Sequence, residues 1–173
     1  ERYSVDSVNR KVLVADDDKR ILDIYKGIFM VDDSDQDGSS DNSPDLLSVD
    51  SILNMDSEMV WDVTMVEQGD LAVAAIAEAK EAGESYACAL LDVRMPPGID
   101  GIETARKIRE IDPNIFIAMV TAYTDRLPEE VAKQLGGNFT MVRKPFYGKD
   151  LLNLVDNYSK VWSQQHSYVN MFL

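Results

Sequence analysis

Apolar residues follow two rhythms along the chain. Lys11-Val12-Leu13-Val14-Ala15, Val60 to Val66, Ala87 to Asp92, Ile115 to Val120 and Asn138 to Val142 are short runs, either continuously apolar or rich in β-branched residues. Such runs are the pattern of strands, and where every position is apolar, of strands buried on both faces. Between them apolar residues recur every three to four positions. Ile21, Leu22, Tyr25, Ile28 and Phe29 do so, as do the alanine-rich stretch Asp70 to Ala82 and the set Ile102, Ala105, Ile108 and Ile111. Leu127, Val131 and Leu135 form a further set, and Leu151, Val155, Tyr158 and Trp162 the last, from a helix expected to begin near Lys149. This spacing predicts amphipathic helices. Asp18 is placed to cap the first, Gly83 to end the second and Pro113 to stop the third. Strand and helix alternate five times with no internal repeat. The alternation predicts an α/β fold, a doubly wound parallel sheet with helices on both faces and right-handed crossovers.

One interval breaks the rhythm. From Asp32 to about Ser57 the chain is polar, acidic and turn-forming, with Leu46, Leu47, Val49, Ile52 and Leu53 as a candidate short helix. It reads as a surface insertion. Asp33-Ser34-Asp35-Gln36-Asp37-Gly38 matches the start of a calcium-binding EF-hand loop, and Asp41 falls at its ninth position. Pro44, however, stands at the twelfth, where a bidentate Glu is required. An acidic loop is the preferred reading.

Composition narrows the function classes. A length of 173 residues suits one domain with an embellishment. The net charge of −14 repels nucleic acids and anionic membranes, so neither is an expected partner. No apolar run approaches the roughly 20 residues of a membrane span. The opening residues show no signal-peptide pattern, and Glu1 rather than Met fits a piece of something longer. The single cysteine, Cys88, lies inside a predicted buried strand, as an inert core thiol in a reducing, cytoplasmic location would. His166, the only histidine, lies in the tail, which leaves Ser-His-Asp catalysis and histidine-rich metal sites without support. Trp61 and Trp162 read as packing residues.

The chemistry gathers at strand ends. The first predicted strand ends in Asp16-Asp17, the third in Asp92, the fourth in Thr121 and the fifth at Lys144. In a parallel sheet these ends share one edge, where ligands of open α/β sheets bind. Each is bland alone: acidic triplets are usually solvated, a lone lysine is usually a surface charge, and a threonine after a strand usually caps a helix. Together they make a reactive set. Clustered carboxylates repel, and a hard divalent cation such as Mg²⁺ relieves that repulsion through oxygen ligands. A carboxylate can act as nucleophile toward a phosphoryl group. A lysine cation and a threonine hydroxyl can stabilise the phosphoryl oxygens.

The pattern resembles the receiver domain of two-component response regulators. The matching pieces are Val14-Ala15-Asp16-Asp17-Asp18, Leu91-Asp92-Val93-Arg94-Met95-Pro96, Asp100-Gly101, Val120-Thr121-Ala122 and Lys144-Pro145-Phe146. The resemblance implies a five-stranded flavodoxin-like, CheY-like sheet in the order 2-1-3-4-5. It implies a receiver over residues 10–160 with the acidic insertion at 31–58 between helix 1 and strand 2. Residues 161–173 would be a helical extension or linker. Asp92 would be the phosphoacceptor, and Asp17 a direct Mg²⁺ (or Mn²⁺) ligand. Asp16 would reach the ion through water, and the backbone carbonyl of Arg94 would complete the protein ligands. Thr121 would be the switch hydroxyl and Lys144 the phosphate-pairing cation, with a cis peptide before Pro145. The donor would be a sensor histidine kinase or phosphotransfer protein. The output would be an effector domain, a partner protein or a second copy of the chain, and the only catalysis would be of its own phosphorylation and dephosphorylation.

Four positions depart from the family pattern. The turn after Asp92 is one residue longer, through Pro97-Gly98. Met141 stands at the position of the family's aromatic switch residue. Arg94 and Tyr123 are large groups beside the path of attacking water, which implies a long-lived phosphate. Two rival classes fit less well. A haloacid-dehalogenase-like phosphatase or phosphotransferase needs a second Asp where Arg94 stands. A pseudo-receiver acting without phosphorylation would lack Asp92, Asp17 or Lys144, and all three are present.

Overall fold

The structure, a computed structural model, describes residues 8–30, 60–122, 129, 133 and 135–171, with side chains as far as residue 167. The elements among them are β1 (Lys11–Ala15), α1 (Lys19–Phe29), β2 (Asp62–Val66), α2 (Gly69–Glu81), β3 (Cys88–Asp92), α3 (Gly101–Ile111), β4 (Phe116–Thr121), β5 (Phe139–Arg143) and α4 (Gly148–Met171). The strands form one five-stranded sheet in the order β2-β1-β3-β4-β5. Every neighbouring pair is parallel. This is the doubly wound topology expected. The acidic insertion at 31–58, with its EF-hand-like stretch, lies outside the described residues, as does most of the helix expected over 127–135.

Side chains along a strand alternate between faces, so each strand feeds two cores. Leu13, Ala15, Ala89, Leu91, Ile117 and Met119 point to one side and pack with Ala72 and Ile76 of α2 and with Ala105 and Ile108 of α3. Val12, Val14, Cys88, Leu90, Phe116, Ala118 and Val120 point to the other and pack with Leu22, Tyr25 and Phe29 of α1 and with Leu151 and Val155 of α4. All positions of β3 and β4 are buried, which explains their unbroken apolar runs. Burial also pushes the Cys88 thiol up, as befits an unreactive core group. Each fully buried Leu or Ile contributes about 1.5–3 kcal/mol, so this double core holds the sheet edge rigid.

Element ends are set by local chemistry. Asp18 caps α1 by accepting the N–H of Arg20 at 2.9 Å. Asp100 caps α3 by accepting the N–H of Glu103 at 2.8 Å. Gly83, with φ +74°, takes up the left-handed turn just past α2. The strand expected from Val60 begins at Asp62, because Trp61 leaves the strand to pack edge-on against Phe29 at 5.5 Å. The strand expected from Asn138 begins one residue later, because Asn138 adopts φ 60° and cannot lie in a strand. The last helix continues unbroken through residue 161. The Lys144–Pro145 peptide is cis, as the resemblance implied; Pro96–Pro97 is cis as well.

Candidate functional site: an acidic centre at the strand ends

The residue after β1, Asp16, is fully buried. Its N–H extends the β1–β2 ladder by donating to the Val66 carbonyl at 3.1 Å, and its Oδ1 accepts the N–H of Asp18 at 2.9 Å. Asp17 follows, half-buried. Asp92 ends β3 and is only 9% exposed. One carboxylate oxygen from each of Asp16, Asp17 and Asp92 falls within 4.8 Å of the others.

Lys144 reaches the same point from the far side of the sheet. Its Nζ donates to Asp16 Oδ2 at 2.9 Å and lies 3.5 Å from Asp92 Oδ1. Two features fix its backbone. Its N–H donates to the Thr121 carbonyl at 2.8 Å, and Phe146, two residues on, stacks on Tyr25 with centroids 5.4 Å apart. Thr121 ends β4, buried, with its hydroxyl donating to the Ala122 carbonyl at 3.0 Å. Arg94 is exposed two residues beyond Asp92, and its backbone N–H donates to the Asp92 carboxylate. The helix behind the site approaches closely: a Cβ on Gly101 would lie 2.0 Å from the Asp92 carbonyl oxygen, so only glycine fits there. The structure thus brings together Asp16, Asp17, Asp92 and Lys144, with Thr121 ending the adjoining strand β4 and Arg94 two residues past Asp92. Tyr123 lies outside the described residues. Met141 is 38% exposed on β5.

Three carboxylates face one ammonium. Burial pushes the Asp92 carboxyl up to about 6, and the Asp16 charge adds to it, with a smaller contribution from Asp17; Lys144 and the Arg94 N–H oppose them. Burial works to lower the Lys144 ammonium, but its hydrogen bond to Asp16 and the charges of Asp16 and Asp92 outweigh this and raise it. Lys144 therefore stays cationic. The set is hard, oxygen-rich and short of positive charge, which fits a hard divalent cation and not a soft one.

Tyr25 and Gln68 carried no site signal in the sequence, and Gly101 stood there only in the Asp100-Gly101 match. Tyr25 looks like core and is core, yet the Asp16 and Asp92 charges act on its hydroxyl. The packing role of Gly101 depends on Asp92, which precedes it by a whole turn. Gln68 sits beside the Pro96–Gly98 turn and bonds to it, although nothing in its own neighbourhood marks it.

Residues 40–156 match the response regulator receiver domain. That span contains Asp92, Thr121 and Lys144 but starts beyond Asp16 and Asp17, which the sheet, not the match, brings to the site. Over 69 residues the chain is 36% identical to sporulation initiation phosphotransferase F of Bacillus subtilis, covering 40% of this chain and 54% of that one. Over 64 residues it is 38% identical to the C4-dicarboxylate transport transcriptional regulatory protein DctD of Pseudomonas aeruginosa, covering 37% of this chain. The match spans only 13% of DctD. Among solved structures, a CheY-like response regulator receiver domain protein from Methanospirillum hungatei superposes with a TM-score of 0.63 at 20% identity. That superposition covers 92% of this chain and 99% of the other.

Proposed function

Because the chain belongs to the response regulator receiver domain family, we propose that it is a phosphorylation-controlled switch whose acceptor is Asp92. The supporting observation is the convergence of Asp16, Asp17 and Asp92 at one sheet edge, with the Lys144 ammonium against Asp16 and Asp92. Asp17, Asp92 and the Arg94 carbonyl would hold Mg²⁺ directly and Asp16 would hold it through water. When bound, the ion offsets the carboxylate repulsion and the charge of an incoming phosphoryl group.

The chain's own groups account for the transfer. The donor is a phosphohistidine on a sensor kinase or phosphotransfer protein. An Asp92 carboxylate oxygen attacks phosphorus and forms the acyl phosphate. The P–N bond breaks, its electron pair returns to the imidazole, and that nitrogen takes a proton from solvent. The ionised form of Asp92 is the nucleophile; burial and the Asp16 charge raise its carboxyl to about 6, which leaves most of it ionised at neutral pH. Lys144 exchanges its contact with Asp92 for the phosphoryl oxygens. Thr121 gives up its bond to the Ala122 carbonyl and donates to the phosphoryl group instead. That inward move shifts the population of the surface formed by β5, α4 and the helix expected over 127–135, and the change is read by an effector domain, a partner protein or a second copy of the chain. Large groups at Arg94 and Tyr123 would slow hydrolysis. The receiver spans 10–160, with 161–173 leading away from it, and it acts in the cytoplasm without turning over an external substrate.

Exposure to acetyl phosphate with Mg²⁺, read by intact mass, tests this. The wild type is expected to gain one phosphoryl group and Asp92→Asn none. Equal uptake by both proteins, or none by either, would overturn the proposal.

A further inference from the structure

We propose that Gln68 is a positioning residue for the acceptor site, holding the turn after Asp92 that carries the Arg94 carbonyl. The inference rests on the acceptor reading above. Gln68 occupies the N-cap position of α2, yet its side chain makes no capping bond. Its amide spans to the neighbouring turn instead. Nε2 donates to the Pro96 carbonyl at 3.2 Å, and Oε1 accepts the N–H of Gly98 at 3.1 Å.

The turn needs such a holder. Pro96 and Pro97 have no N–H, so Gly98 carries the first backbone donor after Met95. Pro96, Pro97 and Gly98 are all exposed. At one end Met95 is sunk in the core, 1% exposed. At the other, the Gly101 N–H donates to the Val93 carbonyl at 2.8 Å. Between these anchors, Gln68 bonds both a carbonyl and an N–H of the turn. Its own backbone is held against the same segment, because a Cβ on Gly69 would lie 2.0 Å from Thr104 Oγ1 and 2.8 Å from Ile99 Cγ1. The clamp therefore joins the start of α2 to the residues just beyond Arg94. Exposed neutral hydrogen bonds add little to global stability, so the effect of this pair falls on geometry. Groups that orient metal ligands typically change affinity by about 10–100-fold when removed.

The test uses the full chain. Gln68→Met keeps the length of the side chain and removes the amide. Calorimetric titration with Mg²⁺ is expected to show roughly tenfold weaker binding. Phosphorylation by acetyl phosphate is expected to slow at low Mg²⁺ and to recover at saturating Mg²⁺, with the melting temperature little changed. Gly98→Ala attacks the clamp from the other side, since its Cβ would lie 2.6 Å from Gln68 Oε1. It decides the matter should Gln68→Met fail to fold. It is expected to weaken Mg²⁺ similarly, and the double variant to be no worse than either single one. Mg²⁺ affinity within twofold of wild type in either folded variant, or losses that multiply in the double variant, would overturn the positioning role. A wild type that takes up neither Mg²⁺ nor a phosphoryl group would instead sink the acceptor reading, and this inference with it.

Discussion

Buried charge flanks β1 at both ends. Before the strand, Arg10 pairs with Asp156 of α4 and lies over the Trp61 ring at 4.6 Å, while Lys160 reaches the same carboxylate at 2.9 Å. After it, Lys144 pairs with Asp16 at 2.9 Å and nears Asp92 at 3.5 Å, with Asp17 alongside. The first cluster has two cations on one carboxylate. Burial works to raise the Asp156 carboxyl, but hydrogen bonds from Arg10 and Lys160 outweigh it and hold it below the usual range. The second has one cation for three carboxylates, and the Asp92 carboxyl stands at about 6. The difference separates a latch from a site. Where cations fully match the carboxylate, the cluster stabilises the fold and binds helix to strand. Where they do not, the fold carries a cost that a cation or a phosphoryl group can relieve, and that mismatch is a mark of function.

Removing a carboxylate is therefore expected to have opposite signs at the two ends. The largest effect is at the latch. Asp156→Ala leaves Arg10 partly buried without its carboxylate and is expected to cost about 2–3 kcal/mol in urea unfolding. At the site, Asp92→Asn is expected to stabilise the cation-free protein by about 1–2 kcal/mol at pH 8. The pH window follows from the raised carboxyl. Below 3.8 Asp92 is protonated folded or unfolded; as pH rises toward about 6 the folded state must give up a proton it holds more tightly, so stability falls. The advantage of Asp92→Asn is expected to grow across that window and level off above it. A constant difference from pH 3 to 8 would break the comparison. Asp156 behaves inversely: its contribution is present above the ordinary carboxylate value and is lost as pH falls through its lowered one.

The smallest effect sharpens the charge count. Lys144→Gln removes the cation that opposes the repulsion, so the Asp92 carboxyl is expected to titrate above about 6. Carboxyl-carbon NMR titration without divalent ions reads this directly. A lower value would mean that Lys144 is not what restrains Asp92.

Much of the fold was legible because its causes are local. Strand runs, helical spacing, Asp18 as a cap and the stop at Pro113 all follow from neighbours in the chain. One misplacement was tertiary in origin. Val60 and Trp61 have strand-forming side chains, but Trp61 finds Phe29, and the strand starts at Asp62. The site divided in the same way. Asp16, Asp17, Asp92, Thr121 and Lys144 were visible as polar breaks at the ends of apolar runs. Gln68 was not, because an amide beside a helix start carries no pattern until the turn it holds is in place, 28 and 30 residues away.

By itself, then, the sequence determined which elements form, that they alternate into a parallel sheet, and which side chains stand at the strand ends. Periodicity, capping and chain direction suffice for that. Only the tertiary structure decided which of those side chains meet. Lys144 and Asp16 are 128 residues apart, and Arg10 and Asp156 are 146 apart. Whether a carboxylate is matched or left in excess depends on burial and on distances of a few ångströms between distant segments. Charge type is written locally, but charge balance is a property of the packed edge.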